Sequence, residues 1–150
     1  MTQRMDHNAA TPAGVKALGD VYSHILRSGL PKALVDLVYL RISQINDCAY
    51  CIDLHSRELL NDGITAEKLV LVPAWREGGV LFDNTERAAL AWTEAVMRVA
   101  ETGVSGGEYE AVATMLDRKQ LDDLTIAIGL MNAYSRMAIS FRPPLAAAKQ

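Results

Sequence analysis

The chain has 150 residues, of which half are apolar and 22% are charged. These proportions are typical of one globular domain and exclude a disordered chain. The formal net charge of −3 at pH 7 gives no electrostatic basis for binding nucleic acid or an anionic membrane surface. The longest apolar stretch, residues 124–141, contains Asn132, Ser135 and Arg136, so we expect a packed helix there and no membrane span.

The pattern of apolar residues predicts an all-α fold of about seven helices joined by short turns. In chain order, the helices are expected from Pro12 to Ser28-Gly29, Pro31 to about Ser43, Cys48 to about Leu60, Thr65 to near Pro73, Asp83 to Glu101, Ser105 to near Lys119, and about Leu121 to Ser140. Residues 69–72, Leu-Val-Leu-Val, are ambiguous on their own. We expect a single domain over residues 1–150, with a core over about 12–142 and frayed ends. No basic and apolar leader begins the chain, so a cytoplasmic location is expected.

The only two cysteines form a C-x-x-C pair, Cys48 and Cys51, and His55 follows one helical turn later. At about 100° per residue, the three side chains fall within roughly 60° of one helix face. His55 is four residues after Cys51, a spacing at which side chains meet. Cys48 lies at the helix start, where amide groups stabilise a thiolate, but Asp47 puts an opposing charge there. The cluster indicates a dithiol redox site in which His55 serves Cys51.

Other sites with paired cysteines fit this chain less well. Structural zinc takes four ligands, and only His7 and His24 remain as further nitrogen ligands. Haem attachment through C-x-x-C-H requires histidine where the chain has Ile52. A thioredoxin fold requires strands around its C-x-x-C motif, and no strand is expected here. We therefore expect no metal and no cofactor.

Residues 37–55, Leu-Val-Tyr-Leu-Arg-Ile-Ser-Gln-Ile-Asn-Asp-Cys-Ala-Tyr-Cys-Ile-Asp-Leu-His, resemble the core of the AhpD-like alkylhydroperoxidases, within the carboxymuconolactone decarboxylase family. The Ser-Gln-Ile-Asn lead-in, the C-x-x-C pair and the following histidine form a far more specific signature than C-x-x-C alone. Weaker similarity extends to residues 75–77, 82–92, 132–136 and 141–142.

The resemblance implies an all-helical subunit that assembles into trimers or hexamers and reduces hydroperoxides at the expense of an external dithiol or protein reductant. By that similarity Cys51 is the thiol that attacks the peroxide, Cys48 resolves it, and His55 belongs to a proton relay. The family's relay also uses a glutamate twelve residues before the first cysteine, where this chain has Asp36. Tyr50 stands where the best-known member has a second histidine, and it is a candidate auxiliary residue.

The sequence also predicts positions for several aromatic and charged residues outside the Cys48, Cys51 and His55 cluster. Three aromatic residues, Trp75, Phe82 and Trp92, are candidates for the substrate pocket, although core or interface positions are more common for such side chains. Arg57-Glu58 and Asp122-Asp123 are most simply solvated helix surface or caps. Arg41 and Arg136 are expected in interface ion pairs rather than at an anion site.

Two functions other than peroxide reduction remain open from the sequence. The same thiols would serve a thiol redox sensor or partner protein without turnover, because both roles require reactive cysteines. The resemblance also extends to ring-cleavage lactone decarboxylases, but those enzymes lack the cysteine pair. Since half of the chain is apolar and the last helix has little polar face, we expect the subunit to bury surface against copies of itself.

Overall fold

A computed structural model describes residues 2–145. In this range the chain forms nine α-helices and two short 3-10 helices, with no strand. The α-helices are α1 (His7–Ala10), α2 (Pro12–Leu26), α3 (Lys32–Ile45), α4 (Ala49–Asn61), α5 (Ala66–Leu71), α6 (Asn84–Met97), α7 (Val99–Thr102), α8 (Gly106–Ala113) and α9 (Arg118–Phe141), and the 3-10 helices are Val72–Glu77 and Gly79–Leu81. The all-α prediction is confirmed, and the ambiguous residues 69–72 are helical.

Helix α3 is the centre of the fold and packs against α4, α6 and α9. Its side chains are buried on two opposite faces. Val38 and Ile42 join a core cluster with residues of α2, α4 and α9, whereas Leu37 and Leu40 join a second cluster with Leu59 and the 3-10 region. A helix that is buried on opposite faces lies inside the protein, and α3 packs directly against α4.

The predicted helix ends differ from the structure where no strong breaker residue marks the boundary. The fifth predicted helix is interrupted at Arg98, which separates α6 from α7. The sixth ends at Ala113 instead of near Lys119, because Asp117 caps α9 and forms a capping box with Gln120. The short helix α1 was not predicted, since only the Asp6 side chain caps its four residues.

A buried carboxylate links three segments of the fold. Glu94 of α6 is 5% exposed and accepts hydrogen bonds from Arg41 of α3, from the indole N–H of Trp75 at 3.0 Å and from Arg76 at 2.5 Å. Burial alone raises the pKa of a carboxyl, but these three donors hold the pKa of Glu94 below its ordinary value. Arg41 therefore has an ion-pair partner within its own chain.

Across residues 2–145, no helix is both long enough and apolar enough to cross a bilayer. Helix α9, the longest, carries buried Asp123 and Ser135 among its apolar side chains. This agrees with the expectation that the apolar stretch near the C-terminus is a packed helix.

Candidate functional site

The turn between α3 and α4 brings the first cysteine to the start of α4. Asp47 adopts a left-handed conformation with φ of 53°, which aspartate tolerates better than most residues other than glycine. Its backbone N–H donates to the Gln44 carbonyl at 3.2 Å, and the N–H of Cys48 donates to the Ser43 carbonyl at 2.9 Å. These two bonds form a Schellman motif. They end α3 and place Cys48 directly before α4.

The two cysteines are joined by a disulfide. Cys48 is the N-cap of α4, and its Sγ accepts a hydrogen bond from the Cys51 N–H at 3.3 Å. Helix N-termini stabilise negative charge, and the Asp47 carboxylate beside Cys48 acts in the opposite direction at the same helix end. On the other side, the Ser135 hydroxyl of α9 donates to Cys51 Sγ at 3.8 Å. Helix α4 begins at Ala49, one residue later than predicted, because Cys48 caps it.

The imidazole of His55 is held by a carboxylate on its own helix. His55 is 6% exposed, and its Nδ1 lies 2.9 Å from Glu58 Oε2. An ionised carboxylate can only accept, so the Nδ1–H donates, and Nε2 is left as the nitrogen that can take or release a proton. The hydrogen bond with His55 holds the pKa of Glu58 below its ordinary value, although burial opposes this shift.

Glu58 corrects one expectation from the sequence. It was expected on solvated helix surface, but its side chain is only one-third exposed and pairs with His55. The spacing of three residues between His55 and Glu58 on a helix allows such a contact, so the signal was present in the sequence. It was missed because a glutamate next to Arg57 is also a common surface pattern.

Asp36 lies near His55 but is not its direct partner. The carboxylate is 2% exposed and accepts a hydrogen bond from Lys32 Nζ at 2.6 Å. Burial raises the pKa of Asp36, and the Lys32 ammonium acts in the opposite direction. Lys32 is about half exposed and also binds Asp62, so solvent weakens the effect of its ammonium on Asp36. Burial is therefore the larger effect, and the pKa of Asp36 lies above its ordinary value.

Three of these groups come close to one another. One oxygen of Asp36, one oxygen of Glu58 and one ring nitrogen of His55 lie within 4.8 Å of each other, a distance that a single water bridges. Within residues 2–145, this is the one set of His, Cys, Asp and Glu side chains compact enough to hold a metal ion. It supplies fewer than the four ligands of structural zinc, and the Lys32 ammonium already binds Asp36. Asp36, His55 and Glu58 are therefore better suited to passing a proton between them than to holding a metal ion.

A cavity of about 590 Å³ gives access to this group, with Cys51, His55 and Glu58 on its wall. Four tyrosines contribute to the wall, namely Tyr22, Tyr39, Tyr50 and Tyr134. A second cavity, of about 520 Å³, is lined by Cys48 and shares Tyr50 with the first. Because Cys51 is only 3% exposed and Cys48 only 1%, reagents reach the cysteines through these cavities.

The aromatic residues expected in the pocket are elsewhere. Trp75 and Phe82 belong to the second core cluster, and the Trp92 indole N–H donates to Thr125 Oγ1 at 3.0 Å. Trp92 belongs to the first core cluster, so the core position, given as the more common alternative, is confirmed for all three side chains and the pocket position was wrong. Tyr50 was expected at the site and lies on the wall of the cavity. Tyr22, Tyr39 and Tyr134 were missed because they come from α2, α3 and α9, and no local sequence pattern links those helices.

Asp123 and Arg136 both have partners within the chain, and the expected ion pair of Arg136 at a subunit interface stays a prediction. Asp123, expected as solvated surface or a cap, is 4% exposed, accepts a hydrogen bond from Lys119 Nζ at 2.6 Å and lies 2.8 Å from His24 Nε2. Arg136 donates to Asn132 on the same helix. Neither group reaches the cysteines.

The chain matches the model of the carboxymuconolactone decarboxylase family over residues 12–95. It is 29% identical over 140 residues to the uncharacterised protein YdfG of Bacillus subtilis, covering 93% of this chain and 95% of that protein. It is 34% identical over 110 residues to the uncharacterised protein YnjA of Escherichia coli, covering 73% of this chain and 59% of that protein.

Two solved structures are also similar. One is a protein of unknown function from Agrobacterium tumefaciens, described provisionally as the antioxidant defence protein AhpD, with a TM-score of 0.91, 33% identity, and coverage of 96% of this chain and 98% of that chain. The debrominase Bmp8 has a TM-score of 0.80 at 17% identity, covering 93% of this chain and 75% of that chain, and this likeness shows the fold alone. The family model spans more than half of the sequence, and the chain therefore belongs to the carboxymuconolactone decarboxylase family, with an AhpD-like fold.

Proposed function

We propose that the protein is a thiol-dependent peroxidase that reduces hydroperoxides through a dithiol–disulfide cycle of Cys48 and Cys51. The observation that carries the proposal is the joint position of the linked cysteines and the His55–Glu58 pair, with Cys51 and His55 on the wall of one cavity. A nucleophile, a proton carrier and a partner that orients the carrier are the parts that such a reaction requires. Membership of a family with an AhpD-like fold supports an antioxidant role.

In the first step the Cys51 thiolate attacks the distal oxygen of a hydroperoxide, ROOH. A sulfur–oxygen bond forms, the oxygen–oxygen bond breaks, and the sulfur is oxidised to a sulfenic acid. The alkoxide that leaves takes a proton from His55 and departs as an alcohol. The hydroxyl of Ser135, which donates to Cys51 Sγ, favours the thiolate that starts this step.

In the second step the Cys48 thiolate attacks the sulfenic sulfur of Cys51, and the sulfur–oxygen bond breaks as the disulfide forms. The hydroxide that leaves takes up the proton that Cys48 released on ionising and departs as water. An external dithiol then reopens the disulfide by exchange and departs as its own disulfide. Attack of the external thiolate on Cys51, which lies on the wall of the 590 Å³ cavity, breaks the disulfide and expels the Cys48 thiolate at the start of α4. Peroxide and reductant thus use the same sulfur in turn, so the kinetics are expected to be ping-pong.

The test is consumption of cumene hydroperoxide with dithiothreitol as the reductant. Wild-type protein should consume many equivalents, and Cys51→Ser should lose turnover. Cys48→Ser should turn over more slowly than wild type, because dithiothreitol must then reduce the Cys51 sulfenic acid directly. Consumption at the wild-type rate by Cys51→Ser would refute the proposal. A wild-type protein that is oxidised stoichiometrically but does not turn over would instead be a thiol sensor.

A further inference from the structure

The hydroxyl of Tyr39 is buried on α3 without a hydrogen-bond partner. Tyr39 is 1% exposed, and within residues 2–145 its hydroxyl is one of two buried side-chain polar atoms that lack a partner. The other is Oε1 of Gln44. An unpaired buried polar group destabilises the folded protein, and most such groups in native proteins are paired. A phenylalanine would fill the same space without this cost, so the hydroxyl requires an explanation.

Tyr39 lies at the centre of the candidate site. It follows Asp36 by three residues on α3, one turn along the same face, and it contributes to the wall of the 590 Å³ cavity that holds Cys51 and His55. Its ring meets the His55 imidazole edge to face, with 5.2 Å between the ring centroids, and lies 6.5 Å from the ring of Tyr22. These ring contacts fix the orientation of the phenol.

The Tyr39 hydroxyl is a donor over the whole physiological pH range. Burial raises the pKa of Tyr39 well above its ordinary value, and the nearby phenols of Tyr22 and Tyr134 raise it further. A neutral phenol keeps its proton and presents it to an acceptor. Tyr39 contributes to the wall of the cavity, so the oxygen atom of a ligand bound against this residue would supply the missing partner.

We propose that the Tyr39 hydroxyl donates a hydrogen bond to an oxygen of the bound organic hydroperoxide and of the alcohol it yields, making Tyr39 a substrate-binding residue of the Cys51 site. This assignment rests on the proposed peroxidase function for the identity of the ligand. The partner of the unpaired hydroxyl is then the oxygen end of the substrate, held beside His55, which protonates the alkoxide as it leaves.

The size and lining of the cavity indicate the rest of the ligand. A volume of about 590 Å³ is within the range of pockets for organic molecules of moderate size, and it greatly exceeds what hydrogen peroxide fills. Leu54, Met131 and Met137 supply apolar surface on the wall. Methionine side chains adapt to irregular shapes and contact aromatic rings favourably. An aryl or bulky alkyl hydroperoxide therefore fits better than hydrogen peroxide.

The test compares two ligands that differ in one oxygen, 2-phenyl-2-propanol and isopropylbenzene, on the disulfide form of the protein. Binding is measured by calorimetry or by ligand-detected NMR for wild type, Tyr39→Phe and Tyr109→Phe. Tyr109 is the matched control because it is half exposed and contacts Trp92, away from the cavity. The alcohol is the product of cumene hydroperoxide, so binding is measured without any turnover.

The expected result is that Tyr39→Phe weakens binding of the alcohol about three- to tenfold, the usual effect of one neutral hydrogen bond. Binding of isopropylbenzene should not change, and Tyr109→Phe should bind both ligands as wild type does. The melting temperature of Tyr39→Phe should equal or exceed that of wild type, since the lost hydroxyl has no protein partner. The same variant should raise KM for cumene hydroperoxide more than it lowers kcat.

Equal affinity of wild type and Tyr39→Phe for the alcohol would overturn the assignment, and so would equal weakening for both ligands, which would indicate packing alone. Failure of wild type to bind the alcohol at millimolar concentration would also overturn it. Absence of turnover with intact, Tyr39-dependent binding of the alcohol would instead refute the peroxidase proposal. The two failures can therefore be told apart.

Discussion

The Nδ1 atom of His55 and the Oε2 atom of Glu58 lie 2.9 Å apart, one helical turn beyond Cys51. The contact fixes which ring nitrogen carries the proton and leaves Nε2 for exchange. Asp36 is close by, but its direct partner is Lys32. The carboxylate that orients the imidazole therefore comes from the same helix as the histidine, and Asp36 acts on His55 only at a distance that one water bridges.

The first prediction concerns the carboxylate of Glu58. Glu58→Gln keeps the shape of the side chain but removes the carboxylate that accepts the hydrogen bond from His55 Nδ1, so kcat/KM for cumene hydroperoxide should fall on the order of tenfold. Steady-state assays with dithiothreitol measure this. Glu110→Gln is the control, because Glu110 is an exposed residue of α8. A Glu58→Gln enzyme as active as the control would mean that this carboxylate has no part in the reaction.

The second prediction is a pH dependence of stability. The pKa of Glu58 is lowered in the folded protein, so its contribution is present above the unfolded pKa of about 4.3 and is lost as the pH falls through the folded value. The difference in unfolding free energy between wild type and Glu58→Gln should be largest near pH 6 and should shrink towards pH 3. Urea denaturation at several pH values measures it. Burial raises the pKa of Asp36, so its contribution has the opposite sign, and the Glu58 charge raises that pKa further. The comparison is therefore made in an Asp36→Asn background, which removes the coupling between the two carboxylates.

A difference that stays constant from pH 6 to pH 3 would contradict the pairing of Glu58 with His55. Glu110→Gln again supplies the baseline, because an exposed glutamate should give a small and nearly pH-independent difference.

The third prediction concerns the hydroxyl that donates to Cys51 Sγ. In the Cys48→Ser background, Ser135→Ala should reduce the fraction of Cys51 present as thiolate and slow its alkylation by iodoacetamide at pH 7 roughly threefold. Ser140→Ala in the same background is the control, since Ser140 is an exposed residue of the same helix. Equal alkylation rates for the two variants would show that the contact with Ser135 does not activate the thiol.

The fourth prediction is that the buried carboxylate of Glu94 stabilises the fold and takes no part in the reaction. Glu94→Gln weakens the hydrogen bonds from Arg41, Arg76 and Trp75, and it should lower the unfolding free energy by on the order of 2–4 kcal/mol. Activity per folded molecule should not change, because Glu94 does not contribute to the wall of the cavity. Glu101→Gln, at an exposed site, should be neutral. A loss below 0.5 kcal/mol for Glu94→Gln would contradict the structural role.

Much of the fold follows from local sequence signals. The fifth and sixth helices were expected to begin at Asp83 and Ser105, and these residues cap α6 and α8, each in a capping box with the glutamate three residues later. These features depend on a few adjacent residues, so the sequence alone reveals them. The split at Arg98 lacks such a signal, because no glycine or proline stands there and the break depends on packing.

The candidate site was predictable along one helix but not between helices. The spacing of Cys48, Cys51 and His55 places them on one helical face, and the disulfide agrees with this. Contacts between helices, such as Ser135 with Cys51 and Tyr39 with His55, depend on how α3, α4 and α9 pack. The periodicity of apolar residues along one helix does not predict such packing. The expected assembly into trimers or hexamers stays a prediction.

The central claim is that Cys51 attacks the peroxide and Cys48 resolves it. The most direct test treats reduced Cys48→Ser and Cys51→Ser proteins with one equivalent of cumene hydroperoxide in the presence of dimedone, which traps sulfenic acids. Mass spectrometry then locates and quantifies the adduct. We expect rapid and nearly complete labelling of Cys51 in Cys48→Ser, and slow labelling of Cys48 in Cys51→Ser. Labelling of Cys48 at an equal or higher rate would contradict the account.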